Sequence, residues 1–183
     1  MSGYADPKDG AGAFQPLGTV NDAYEFGSAI KGASVLTGLE YDVIHPSTVV
    51  DDQPLYFKGT PDKKSVVPYM GPVDLNAALE RSSNVYMFEI ALRMGGYQYD
   101  YHSAARQTLF SEEVANQVLD DARYVFHQFG LGVNTGIDLP TEATGLAQPV
   151  NEAGNALDFM IGQYDTYSTL QVAQYISTIA NDG

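Results

Sequence analysis

Ser28-Ala29-Ile30-Lys31 sets a hydroxyl and an amine three residues apart. On a helix, positions i and i+3 project from one face, so the two side chains can meet. A lysine beside a serine hydroxyl can take its proton when burial or nearby positive charge depresses the amine's pKa. A serine in a first helical turn also faces unpaired backbone N–H dipoles, which favour developing negative charge by about 0.3–1 kcal/mol. Taken alone, S-x-x-K reads first as a helix start with a solvated lysine.

Ser82-Ser83-Asn84 is the second cluster, set between two helical stretches. Ser82 can relay a proton between Lys31 and a leaving amine. Asn84, with Ser83 beside it, can hold a substrate amide while contacting the lysine. Ser and Asn also cap helices, and that is the competing reading.

The elements that must position these groups are mostly helical. Residues 27–40 suit a helix burying Ala29, Ile30, Ala33, Val35 and Leu36. Prolines 46, 54, 61 and 68 punctuate a long connection over 41–71, with short strand-like pieces such as Leu55-Tyr56-Phe57. Pro72 and Asp74 open a short helix through Leu79. Residues 85–94 are apolar almost all round, which predicts a central, buried helix ended by Gly95-Gly96. A helix is expected over 101–109. Another is expected over 112–129, capped by Ser111, stopped by Gly130, and striped with Val114, Val118, Ala122, Val125 and Phe129. Residues 130–150 read as a loop with an extended piece at 136–139. Ser168 and Gln171 form a capping-box pattern ahead of a last helix, with Leu170, Ala173, Ile176, Ile179 and Ala180 expected inward. Residues 1–22 read as an irregular arm. With so few strands, the chain is expected to be mainly α, a helical subdomain.

The chain's 183 residues, 44% of them hydrophobic, suffice for one packed domain. Its net charge of −14 opposes nucleic acid and anionic membrane surfaces. Without cysteine it has no disulfide, cysteine nucleophile or thiolate metal site. His45, His102 and His127 are not at metal-ligand spacing, so neither metal nor cofactor is expected. No stretch is apolar enough to span a bilayer, and residues 1–30 lack a signal peptide's pattern.

S-x-x-K followed by S-x-N and K-[S/T]-G is the motif set of penicillin-binding proteins and class A β-lactamases. Tyr24-Glu25-Phe26-Gly27-Ser28-Ala29-Ile30-Lys31-Gly32 resembles the nucleophile segment of class B penicillin-binding proteins, with Phe26 where that family usually has proline. Arg81-Ser82-Ser83-Asn84-Val85-Tyr86-Met87 resembles their second motif. Phe129-Gly130-Leu131-Gly132 with Thr135-Gly136-Ile137-Asp138-Leu139-Pro140 resembles their middle stretch. Ile161-Gly162-Gln163, Leu170-Gln171-Val172-Ala173-Gln174 and Ala180-Asn181-Asp182-Gly183 resemble the segment before their last strands. The style is nearest the 2B-type proteins of Gram-positive bacteria. The third motif is absent, since Lys58-Gly59-Thr60 has the wrong order and precedes Ser82. Pro140-Thr141-Glu142-Ala143-Thr144 does not resemble the deacylating loop of class A β-lactamases.

The resemblance implies a partial transpeptidase domain over 1–183. It would be the helical subdomain (23–183) of the β-lactamase/transpeptidase-like α/β fold, with most sheet strands missing. It implies a parent enzyme that cross-links peptidoglycan through a serine acyl-enzyme and is acylated by β-lactams. Ser28 would be nucleophile, Lys31 base and Ser82 relay, with Ser83 and Asn84 contacting substrate. Expected partners are stem peptides, β-lactam antibiotics, the rest of the domain and cell-wall synthesis proteins. The expected location is the outer face of the cytoplasmic membrane. The isolated chain is expected to be inactive and to self-associate through uncovered apolar surface. A β-lactam sensor domain and a non-catalytic helical module are the alternatives.

Overall fold

Val85 to Leu92 are eight consecutive buried residues. Burial on every side leaves only the centre of the molecule for the helix that carries them, α4 (Asn84–Met94). The computed structural model describes residues 17–139 and 141–183. In it α4 is surrounded by α2 (Lys31–Glu40), α3 (Leu75–Glu80), α6 (Asn155–Phe159) and the short strand β2 (Val50–Asp52). Glu89, the one acid on α4, tolerates burial because Tyr101 Oη donates to it at 2.6 Å and Arg93 Nε at 3.4 Å.

α5 (Glu112–Gln128) lies across α2 and α6. Its Ser111 cap accepts from Val114 N at 3.3 Å. The buried stripe is Ala115, Val118, Leu119, Ala122, Val125 and Phe126, with Val114 and Phe129 only partly covered. Arg123 of α5 grips Asp165 with two hydrogen bonds of 2.8 Å and donates to Gln148 O at 2.7 Å. That fork pins the loop over 146–149 and the segment before the last helix onto the core.

Among the described residues, strand content is confined to two antiparallel ladders. β1 (Ala23–Tyr24) pairs with β4 (Tyr167–Ser168), Ala23 opposite Ser168. β2 pairs with β3 (Gly71–Val73), Asp52 opposite Gly71. Leu55 and Phe57 form single bridges to Lys63 and Gln107. Pro72 thus sits in a strand, where a two-stranded ladder tolerates its missing N–H. The α3 cap is Asp74, accepting from Ala77 N at 2.8 Å.

Other expectations need correction as well. The expected arm over 1–22 lies outside the described residues up to residue 16, but Gly18–Asn21 makes one helical turn, α1. Residues 101–109 are not helical. Tyr97 and Tyr99 lock edge-on against Phe57, Tyr101 packs on Tyr99, and Gln107 N bonds Tyr56 O, which holds the chain open. Residues 136–139 are not an extended piece throughout: the chain bends at Asp138 and Leu139, where Leu139 N donates to Ile137 O at 2.8 Å.

The last helix, α7 (Thr169–Ala180), is rotated from the expected face: Gln171 and Tyr175 are buried, while Ile176 and Ile179 are 49% and 40% exposed and Ala173 and Ala180 face outward. Polar reach sets this rotation. The Gln171 amide donates to Val133 O at 2.7 Å and Thr144 O at 3.1 Å, and Tyr175 Oη accepts from Ala33 N at 3.0 Å at the start of α2. These hydrogen bonds offset the cost of burying the two polar side chains.

Candidate active site

The chain reaches Ser28 through a single 3₁₀ turn, Gly27–Ile30, that runs directly into α2. In a 3₁₀ turn the side chains at i and i+3 eclipse, bringing Ser28 and Lys31 to the same side more closely than an α-helix would. Ser28 is exposed, whereas Lys31 is 3% exposed. Ala29 is exposed as well, correcting its expected burial, because the tighter turn swings it outward. Gly27 N donates to Gly162 O at 3.0 Å, which fastens the turn to the loop after α6.

Each member of Ser82-Ser83-Asn84 has its own task. α3 ends with Ser82 N bonded to Leu79 O at 3.2 Å and Ser83 N to Ala78 O at 2.8 Å. This is a Schellman ending, which needs a left-handed residue at the position Ser82 occupies. The ends of α4 and α5 use the same pattern, with Gly96 and Gly130 at that position; at the end of α3 it is Ser82, with φ 56°. A glycine there would fit the backbone better but would carry no hydroxyl. Ser83 is the N-cap of α4, accepting from Tyr86 N at 3.0 Å. Asn84 is the first residue of α4.

These segments converge on Lys31. Its ammonium donates to Ser82 O at 2.9 Å, Ser82 Oγ at 3.0 Å and Asn84 Oδ1 at 2.6 Å. Three donors meet three acceptors. Ser82 Oγ in turn donates to Ser28 Oγ at 3.0 Å. The Lys31 pKa is brought down to about 8 by burial, against which the Asp52 carboxylate acts in the raising direction. The lysine therefore sits near the point where it can exchange a proton at neutral or mildly alkaline pH.

The hydrogen bonds run from Lys31 through Ser82 to Ser28, the polarity that follows removal of a proton from Ser28. Rotating two hydroxyls about their own bonds reverses it with a neutral amine, without moving a heavy atom. The arrangement can thus carry a proton between the Ser28 hydroxyl and Lys31 in either direction. Among the described residues no group of three His, Cys, Asp or Glu is placed to hold an ion.

Sequence reasoning brought together Ser28, Lys31, Ser82, Ser83 and Asn84 but missed Asp52 and Ser65. Asp52 is fully buried at the end of β2; its Oδ2 accepts from Ser65 Oγ at 2.7 Å and, at very short range, from Ser83 Oγ. Ser65 Oγ accepts from Asn84 N at 2.8 Å, and Asn84 Nδ2 donates to Lys64 O at 3.1 Å. The only sequence signal was position: both lie in the proline-rich connection, with no motif around them. Glu142 is a loop brace, accepting from Thr135 N at 2.6 Å; hydrogen bonds from the Thr135 side chain, and then from its N–H, hold the carboxyl below the usual range.

The chain belongs to the family of penicillin-binding protein transpeptidase domains, whose model matches residues 4–183. It is 47% identical over 167 residues to penicillin-binding protein 2A of Bacillus subtilis, covering 91% of this chain and 22% of that protein. It is 34% identical over 187 residues to penicillin-binding protein 2B of Streptococcus pneumoniae, covering 100% of this chain and 27% of the relative. The solved structure of that 2B protein from strain R6 superposes with a TM-score of 0.88 at 33% identity, over 98% of this chain and 29% of the other. The peptidoglycan D,D-transpeptidase MrdA of Acinetobacter baumannii is 28% identical over 187 residues, which is 92% of this chain and 24% of MrdA. The chain therefore spans about a quarter of the length of these relatives, and its architecture is a helical portion of the transpeptidase fold.

Proposed function

We propose that this chain carries the nucleophile and proton-relay half of a class B peptidoglycan D,D-transpeptidase. The observation that carries the reading is the unbroken hydrogen-bond chain from Lys31 Nζ through Ser82 Oγ to Ser28 Oγ. Ser28 attacks the carbonyl carbon of the penultimate D-Ala of a stem peptide, forming an ester as the bond to the terminal D-Ala nitrogen breaks. The Ser28 proton passes by way of Ser82 and Lys31 to that leaving nitrogen. An amino group of a second stem peptide then attacks the ester. Its surplus proton returns along the same path, and Ser28 is regenerated.

A β-lactam offers the same carbonyl with its leaving nitrogen tethered in the ring. Acylation opens the ring, and the leaving group remains attached to the acyl chain. Asn84 lines the substrate side of the turn, whereas Ser83, expected beside it, is fully buried with its Oγ on Asp52 and holds the turn instead of contacting substrate. The remaining domain supplies the Lys-Ser/Thr-Gly strand, and the whole protein works on the outer face of the cytoplasmic membrane beside other cell-wall synthesis proteins, in cell-shape maintenance or division. Within this reading β-lactam susceptibility and resistance both act at Ser28.

The test is labelling of the full-length protein with a fluorescent penicillin, followed by peptide mass mapping. One adduct per protein on the Ser28 peptide, absent in Ser28→Ala, is expected. Undiminished labelling of Ser28→Ala would overturn the assignment.

A further inference from the structure

Helix α4 begins at the site, and its opening N–H groups have no partners within the helix. They are satisfied indirectly. Asn84 N and Val85 N donate to Ser65 Oγ at 2.8 and 3.3 Å, and Tyr86 N donates to Ser83 Oγ at 3.0 Å. Both hydroxyls then donate to a single atom, Asp52 Oδ2. One carboxylate thus caps three successive N–H groups through two serines that come from different segments. An ionised acceptor strengthens both relay bonds and complements the positive end of the helix.

Its other oxygen, Oδ1, is buried and has no hydrogen-bond partner among the described residues. A fully buried carboxylate with an unsatisfied oxygen is costly unless an opposite charge compensates. The cation that Asp52 acts on is the Lys31 ammonium, at longer range than a direct ion pair. The groups touching that ammonium, Ser82 and Asn84, are neutral, and Lys64, itself exposed, is tied to Asn84 through its backbone carbonyl.

We infer that Asp52 is a positioning residue of the Ser28 reaction: through Ser65 and Ser83 it locks the turn that presents Ser82 and Asn84 to Lys31, and its charge balances the buried ammonium. The inference rests on the function proposed above. Asp52 touches no reacting atom. Its geometry is itself held, since Met70 N donates to Asp52 O at 3.1 Å across the β2–β3 ladder.

The test uses the full-length protein and the rate of acylation by a fluorescent penicillin between pH 5 and 10, a range spanning about two to three units either side of the lysine's midpoint. Asp52→Asn keeps an oxygen for the two hydroxyls but removes the charge. Without the carboxylate the ammonium is disfavoured, so the alkaline-rising limb should move to lower pH by about one unit. Ser65→Ala keeps the charge but cuts one relay; it should slow acylation at the plateau about tenfold and leave the midpoint in place.

A purely structural role for Asp52 would lower the amount of active protein without moving the midpoint. An unmoved midpoint in folded Asp52→Asn overturns the inference. If Asp52→Asn does not fold, a wild-type plateau rate in Ser65→Ala overturns it. Wild-type labelling that does not depend on Ser28 would instead sink the functional reading itself, and this inference with it.

Discussion

Ser28 Oγ and Ser82 Oγ lie 3.0 Å apart although 54 residues separate them in the chain. Backbone geometry sets this approach. A 3₁₀ turn presents Ser28, and a left-handed residue closing α3 presents Ser82. Each backbone conformation brings its hydroxyl within reach of the other.

That makes Ser82→Gly a substitution with opposed effects. The left-handed conformation at Ser82 costs a non-glycine residue on the order of 1 kcal/mol. Glycine removes this strain, so the variant is expected to melt at the wild-type temperature or slightly above it. It also removes the relay, and acylation by penicillin is expected to fall by about 10²-fold, the lower end of what a proton-transfer group contributes. Thermal unfolding and acylation kinetics measured on one preparation check both halves. Loss of stability together with loss of rate would show that the hydroxyl mainly holds the turn.

The pH dependence follows from Lys31. Burial brings its pKa from 10.5 to about 8. Only the neutral amine can accept the Ser28 proton, so acylation should rise with pH and reach half its plateau near pH 8, with the pKa good to about one unit. The sign for stability runs the same way. The folded state binds this proton less tightly than the unfolded state, so the burial penalty is full below pH 8 and is relieved as pH rises from about 8 towards 10.5. A rate profile flat from pH 6 to 10, about two units either side of that midpoint, would exclude Lys31 as the proton acceptor.

Legibility in the sequence tracked how local each determinant is. α4 was legible because its residues are apolar in every direction, and the caps Ser111, Ser168 and Gln171 because a cap is a short-range pattern. The motif residues were legible as a set, but not their division of labour. That Ser82 closes one helix while Ser83 opens the next depends on two backbone bonds to α3. The face of α7 was misread since Gln171 and Tyr175 find distant partners at Val133, Thr144 and Ala33 that no periodicity encodes. Asp52 was invisible for the same reason. Its partners lie 13 and 31 residues away, and nothing in Val50-Asp51-Asp52-Gln53 marks one acid as buried.

Gly162 offers a test of how rigidly the nucleophile turn must be held. Its φ is +74°, and a Cβ there would overlap the Gly27 carbonyl oxygen and lie 2.8 Å from Ile30 Cγ1. Both obstacles belong to the turn carrying Ser28, and the Gly27 side of the contact is backbone, which cannot rotate away. Gly59 has the same φ of +74° with nothing within 4 Å of its would-be Cβ. Gly59→Ala therefore measures the cost of the torsion alone, about 1–2 kcal/mol, and should leave acylation unchanged. Gly162→Ala adds displacement of the turn. It should cost about 2–3 kcal/mol more and slow acylation at least about tenfold in the fraction that remains folded, because Ser28 is moved relative to Ser82. Denaturant titration gives the first comparison and penicillin acylation of folded protein the second. Equal effects of the two substitutions on both measurements would mean that the contact between Gly27 and Gly162 does not set the position of Ser28.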